Sequence, residues 1–293
     1  MNRLIYWIAL ALVRILQAMP LRRVARIGRN AGALAYWLDA RHRNVALNNL
    51  RICFEKEKSP ADIGAIAREN FRRLGESYLC AIKTAAMSFE QLRPHLEIVG
   101  AERMYPEPFA KHPPTRVVAI GHFGNFELYP RFAESMPGLQ AASTYRAIQP
   151  AGLNDLLLQL RKQSKSLLFE RRTEANALKA AMSKPGILLG LLVDQHTGKS
   201  GVWVPFFGKE CSTNTAPAVF ALRYDCKLFT GFCFRKGLAQ WSLEVGDEIP
   251  THENGHARPI AAITTDINRS FEAAIRRDPA NWFWVHKRWK PRV

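Results

Sequence analysis

The stretch Gly186-Ile187-Leu188-Leu189-Gly190-Leu191-Leu192-Val193-Asp194 decides the fold. An unbroken apolar run of this length, closed by an acid, has the pattern of a strand covered on both faces. Similar short runs occur at residues 96–100 (LEIVG), 116–121 (RVVAIG), 141–147 (AASTYRA) and 166–170 (SLLFE). Helical periodicity fills residues 153–162 and 174–182 between them. That alternation predicts an α/β fold with a mostly parallel central sheet flanked by helices. Residues 227–235 and 240–249 then predict an antiparallel extension turning around Lys236-Gly237, and residues 260–276 a final helix. Reactive groups in such sheets sit just past the carboxyl ends of strands. His122, Arg146 and Asp194 hold those positions.

Toward the N-terminus the pattern turns helical. Ser59-Pro60-Ala61-Asp62 is a helix start: a capping serine, proline in the first turn and an acid three residues on. Ile63, Ala67, Phe71, Leu74, Tyr78 and Ile82 continue it at helical spacing. Residues 4–19 are apolar except for Arg14 and Gln17. As a helix they span about 24 Å, short of the roughly 30 Å hydrocarbon layer. A signal peptide fails for want of a small-x-small cleavage site, which leaves a membrane-anchoring helix or a buried amphipathic one. The following stretch favours the anchor: Arg22, Arg23, Arg26, Arg29, Arg41, Arg43 and Arg51 meet a single acid, Asp39. Such a block faces the cytoplasm or binds an anionic leaflet.

Composition agrees. The chain of 293 residues carries 42 Lys plus Arg against 25 Asp plus Glu, a net charge of +17, which favours anionic partners. Aromatic-basic strand motifs of RNA-binding modules are absent, so no nucleic acid is expected. Five cysteines without CxxC spacing read as reduced, buried thiols.

Three motifs bear on chemistry. His252-Glu253-Asn254-Gly255-His256 matches a zinc-protease pattern, but flanking prolines and the internal glycine deny it the required helix. A polar loop and no metal site are expected there. Gly198-Lys199-Ser200 lacks both the upstream glycine and the following helix of a phosphate loop. The third is Gly121-His122-Phe123-Gly124-Asn125-Phe126-Glu127. It follows a buried strand, and a helix beginning there would keep the imidazole neutral. Glu127 then orients His122 as base and orienter; the same spacing also suits a capping pair.

The GHFGNFE box, Arg41-His42-Arg43-Asn44-Val45-Ala46-Leu47-Asn48-Asn49-Leu50, Tyr145-Arg146, Asp194-Gln195, Val204-Pro205-Phe206-Phe207-Gly208 and the closing residues 282–290 together resemble the late acyltransferases of lipid A biosynthesis, within the lysophospholipid acyltransferase superfamily. The resemblance runs nearly end to end. It implies transfer of an acyl chain from an acyl-carrier-protein thioester to a hydroxyl of a phosphorylated glycolipid, on the cytoplasmic face of the inner membrane and without cofactor. Its nearest rival is an acyltransferase for a phosphatidylinositol mannoside or ornithine lipid. The catalytic pair implied is His122 and Glu127. Asn125, Arg146, Arg161, Arg171, Asp194, Gln195, Phe206, Phe207, Gly208, His286 and Arg288 are the candidate substrate contacts. Arg161 reads equally as a solvated helix position, and Phe206 to Gly208 as an apolar wall or turn. The expected organisation is an anchoring helix over residues 1–20 and one domain over 21–293, helical to residue 92 and α/β from residue 93.

Overall fold

The computed structural model describes residues 2–105 and 113–292. Four long helices lead: α1 (Asn2–Ala18), α2 (Leu21–Leu38), α3 (Ala40–Phe54) and α4 (Pro60–Thr84). Ser59 and Asp62 close the expected capping box on α4. Short helices α5 (Phe89–Leu92) and α6 (Ala101–Met104) flank β1 (Leu96–Val99). The core follows as β2 (Arg116–Ile120), β3 (Gln140–Tyr145), α7 (Ala151–Arg161), β4 (Leu167–Glu170), α8 (Ala175–Met182) and β5 (Ile187–Leu192). A hairpin of β6 (Val202–Phe206) and β7 (Lys209–Thr213), helix α9 (Ala216–Arg223), the long pair β8 (Leu228–Gly237) and β9 (Gln240–Ile249), and α10 (Ile260–Arg277) complete it.

Seven strands form one sheet in the order β1-β9-β8-β2-β5-β3-β4. Every neighbouring pair is parallel except β8 and β9, the antiparallel extension. The turn between those two falls at Leu238-Ala239, just past the expected Lys236-Gly237. β5 inserts between β2 and β3, so the ends of β2 and β5 lie side by side. Alternation divides the core. Val117, Ala119, Leu189, Leu191 and Val193 face a layer containing α3, α9, α10 and the tail. Val118, Ile120 and Leu188 face α2, α4 and residues 126–135.

Helices α2 and α4 touch backbone to backbone. A Cβ at Gly32 would lie 2.1 Å from the Phe71 carbonyl oxygen, and one at Gly75 the same distance from that of Gly28. Beside this crossing Glu76 is buried and accepts from Arg29 at 3.3 Å, Arg235 at 2.8 Å and the Ala239 amide at 2.9 Å. Arg29 therefore faces Glu69 and Glu76, away from any outer basic face. The five cysteines are free and buried.

Among the described residues no helix is long and apolar enough to cross a membrane. Helix α1 packs on α4 through Val13 and Leu16 and lays Tyr6 against Gly152 at the start of α7. It leaves Leu4, Trp7, Ile8, Leu12 and Ile15 exposed. His252-Glu253 and His256-Ala257 form a two-residue exposed hairpin, β10 and β11, where a loop was expected. Gly198–Ser200 is a single 3₁₀ turn.

Candidate active site

His122 lies just past the end of β2, and Asp194 just past the end of neighbouring β5. Their separation of 72 residues closes to hydrogen-bond contact: His122 Nδ1 meets Asp194 Oδ1 at 2.7 Å, and the His122 backbone N–H donates to Oδ2 at 2.7 Å. Because the partner is a carboxylate, Nδ1 carries the proton and Nε2 presents a lone pair. The Trp282 indole N–H donates to Asp194 Oδ2 at 2.8 Å from the other side. Burial opposes the charge on Asp194, but His122 and the indole outweigh it and hold the carboxyl below its ordinary range. Rings of Phe126 (4.8 Å, edge-on) and Phe283 (5.5 Å, tilted) fix the imidazole plane.

The loop that carries His122 has no spare room. A Cβ at Gly121 would sit 2.7 Å from the Phe123 ring, and Gly124 adopts a φ of +49° with a would-be Cβ 2.6 Å from the Cys233 carbonyl. The Tyr129 hydroxyl donates to the Gly121 carbonyl at 3.0 Å. Residues 126–135 form 3₁₀ turns around Pro130 where an α-helix was expected. The carboxylate of Asp194, in contact with Nδ1, sets the tautomer of His122.

Glu127 does not reach the imidazole. It takes a bidentate pair from Arg161 at the end of α7, Nε to Oε2 at 2.9 Å and NH2 to Oε1 at 2.5 Å. Burial works against the Arg161 charge, yet the bonds to Glu127 outweigh it and leave the guanidinium above its ordinary pKa. The imidazole contact first read for Glu127 is made by Asp194 instead, a strand-end residue whose neighbourhood depends on β5 entering beside β2.

His122, Asn125, Glu127, Arg146, Arg161, Arg171 and Gln195 all line one cavity of about 1580 Å³. This exceeds the roughly 300–1,000 Å³ of ordinary small-molecule pockets. Its walls are mainly apolar, with Leu153, Leu156, Leu157 and Leu160 from α7 and Ile82 from α4. Arg146 and Arg171 follow the adjacent strands β3 and β4 and stand exposed at the rim. Asn125 is almost fully buried, and neither side-chain polar atom has a protein partner among the described residues.

The remaining candidates lie behind the site. Phe206 is buried and stacks on Trp289 at 5.5 Å, while Phe207-Gly208 makes the β6–β7 turn with positive φ at both residues. Arg288 is wholly buried, donating to the Ser212 carbonyl at 2.5 Å and Thr213 Oγ1 at 2.6 Å. Burial leaves it no exposed face, although its Nε has no hydrogen-bond partner among the described residues. His286 Nε2 accepts the His196 backbone N–H at 3.0 Å. Burial first, then Lys290, Arg288 and His122, lower its pKa to about 4 despite the opposing pull of Asp194. Trp282 and Trp284 belong to the core, and the bond from Trp282 to Asp194 is a contact that residue-by-residue reading missed. Among the described residues no cluster of His, Cys, Asp and Glu could hold a metal.

The family model for bacterial lipid A biosynthesis acyltransferases matches residues 1–291. The lipid A biosynthesis palmitoleoyltransferase of Escherichia coli (strain K12) is 25% identical over 296 residues, covering 98% of this chain and 91% of that protein. The lauroyltransferase of the same organism is 23% identical over 294 residues, with the same coverage. A phosphatidylinositol mannoside acyltransferase of Mycolicibacterium smegmatis (strain ATCC 700084 / mc(2)155) is 24% identical over 246 residues, covering 79% of this chain and 75% of its own.

Proposed function

Since the chain belongs to the bacterial lipid A biosynthesis acyltransferase family, we propose that it moves a fatty acyl chain from an acyl-carrier-protein thioester to a hydroxyl of a phosphorylated lipid A precursor, on the cytoplasmic face of the inner membrane. The observation that carries the chemistry is the His122 imidazole, held at Nδ1 by buried Asp194 and facing a large apolar cavity. His122 Nε2 takes the proton from the acceptor hydroxyl as its oxygen attacks the thioester carbonyl. The tetrahedral intermediate collapses, the carbon–sulfur bond breaks, and the thiolate leaves as a thiol with the proton returned by His122. Asp194 stabilises the transient imidazolium. Asn125 supplies the amide donor for the developing oxyanion, because its buried side chain has no protein partner among the described residues. Arg146 and Arg171 at the rim suit acceptor phosphate, while Glu127 holds Arg161 over the cavity. The exposed face of α1, beside the start of α7, lies in the bilayer interface and delivers the acceptor from the membrane.

The likeness to a phosphatidylinositol mannoside acyltransferase supports a second acceptor, another glycolipid served by the same chemistry. The decisive assay is transfer from acyl carrier protein to a purified lipid A precursor and to a mannoside lipid. His122→Ala is expected to lower the preferred transfer about 10²–10⁴-fold with folding intact. A well-folded variant retaining more than about a tenth of the rate would sink the general-base assignment.

A further inference from the structure

A second cavity, of about 550 Å³, lies where α3 meets the closing tail. Arg41, Asn44 and Asn48 line it from one face of α3, and Lys287 and Lys290 from the tail. All five are exposed, and no carboxylate lines the groove. Among the described residues none of the three cations forms a salt bridge, whereas Arg29, Arg73, Arg161, Arg235, Arg276 and Arg277 all do.

The walls are built rather than loose. Buried Asn49 donates to the carbonyls of Trp284 and His286, both at 2.7 Å, and clamps the tail to α3. Arg288, between the two lysines, is anchored inside by Ser212 and Thr213. Three like charges are thereby held around one hollow against their repulsion, which a bound anion relieves. An arginine fork, two ammonium groups and two carboxamides suit the oxygens of a phosphate ester. Lys290 also lines the large cavity, so the groove adjoins the site of transfer.

We propose that this groove binds the phosphate ester of one of the two substrates, as a subsite contiguous with the reaction cavity. The proposal rests on the acyl-transfer reading. The ester comes either from the phosphopantetheine arm that bears the thioester or from the head group of the acceptor, and the chemistry is common to both.

The test is titration calorimetry of the full chain with 4′-phosphopantetheine and with glucosamine 1-phosphate, each against its dephosphorylated counterpart. The wild-type chain is expected to prefer one phosphorylated probe by about tenfold or more, and Arg41→Gln/Lys287→Gln to erase the preference. In transfer assays the same variant raises KM for the matching substrate by about tenfold, the loss falling on KM rather than kcat. Preference for phosphopantetheine assigns the groove to the donor, and preference for the sugar phosphate to the acceptor. Equal binding of phosphorylated and dephosphorylated probes, with both KM values unchanged in the variant, overturns the proposal. Calorimetry needs no turnover, so failure of the groove and failure of the acyl-transfer reading appear in different measurements.

Discussion

An imidazole can serve as a base only while Nε2 is bare, and here the carboxylate of Asp194 secures that by claiming Nδ1. Asp194→Asn keeps the shape but offers an amide that donates as readily as it accepts, so the tautomer is no longer set. Transfer is expected to fall by about 10²–10⁴-fold. Because the two residues act as a unit, the His122→Ala/Asp194→Asn double variant should be no slower than His122→Ala. Additive losses in single-turnover rates would show that Asp194 does not act through the imidazole. Glu127 belongs to a different unit. Its bidentate pair with Arg161 predicts strong coupling between Glu127→Gln and Arg161→Gln in a double-mutant cycle, and weak coupling between Glu127→Gln and His122→Ala. The reverse pattern would return Glu127 to the role that the His-x4-Glu spacing first suggested.

At the level of elements, the tail after α10 organises the site. Trp282 holds Asp194, Phe283 lies against His122, and His286 accepts from the backbone beside Gln195. With its pKa lowered from 6.5 to about 4, folded His286 stays neutral where the unfolded chain already binds a proton. Between pH 6.5 and 4 the unfolded state therefore holds more protons, and stability falls as pH falls. His286→Gln, which cannot titrate, should flatten the acid limb of a melting-temperature profile across that window. An unchanged slope would mean that the histidine is already charged in the folded chain. Much of this element's neighbourhood was legible in the chain itself. The start of α4, the span of α10 and the strands around residues 116–121 and 186–194 declare themselves through local signals: a capping box, a helical period and an unbroken apolar run. Strand order is not local. Nothing near Asp194 says that β5 enters between β2 and β3, so its bond to His122 across 72 residues was hidden, as was the reach of Glu127 to Arg161 across 34. The antiparallel pair was visible, yet β1 adding parallel to β9 was not, since that contact joins residue 96 to residue 241.

The whole molecule presents an apolar face of α1 beside α7, a helix that lines the cavity, on a strongly basic body. Leu4, Ile8 and Leu12 lie along that face of α1, more than half exposed, so changing them disturbs little packing. Leu4→Gln/Ile8→Gln/Leu12→Gln should shift much of the protein off vesicles containing anionic lipid, and added salt should release most of the rest. Full retention of this variant on vesicles in high salt would place the membrane contact elsewhere. Synthesis adds a consequence of the tail's position. The ribosome makes Trp282 after all seven strands of the main sheet, so a nascent chain that has passed Ile249 can complete that sheet while Asp194 still lacks its indole partner. The His122–Asp194 pair is thus finished only once the segment after α10 has been made. Cleavage before Trp282 would strip Asp194 of its indole partner and take two buried rings, Trp282 and Trp284, out of the core.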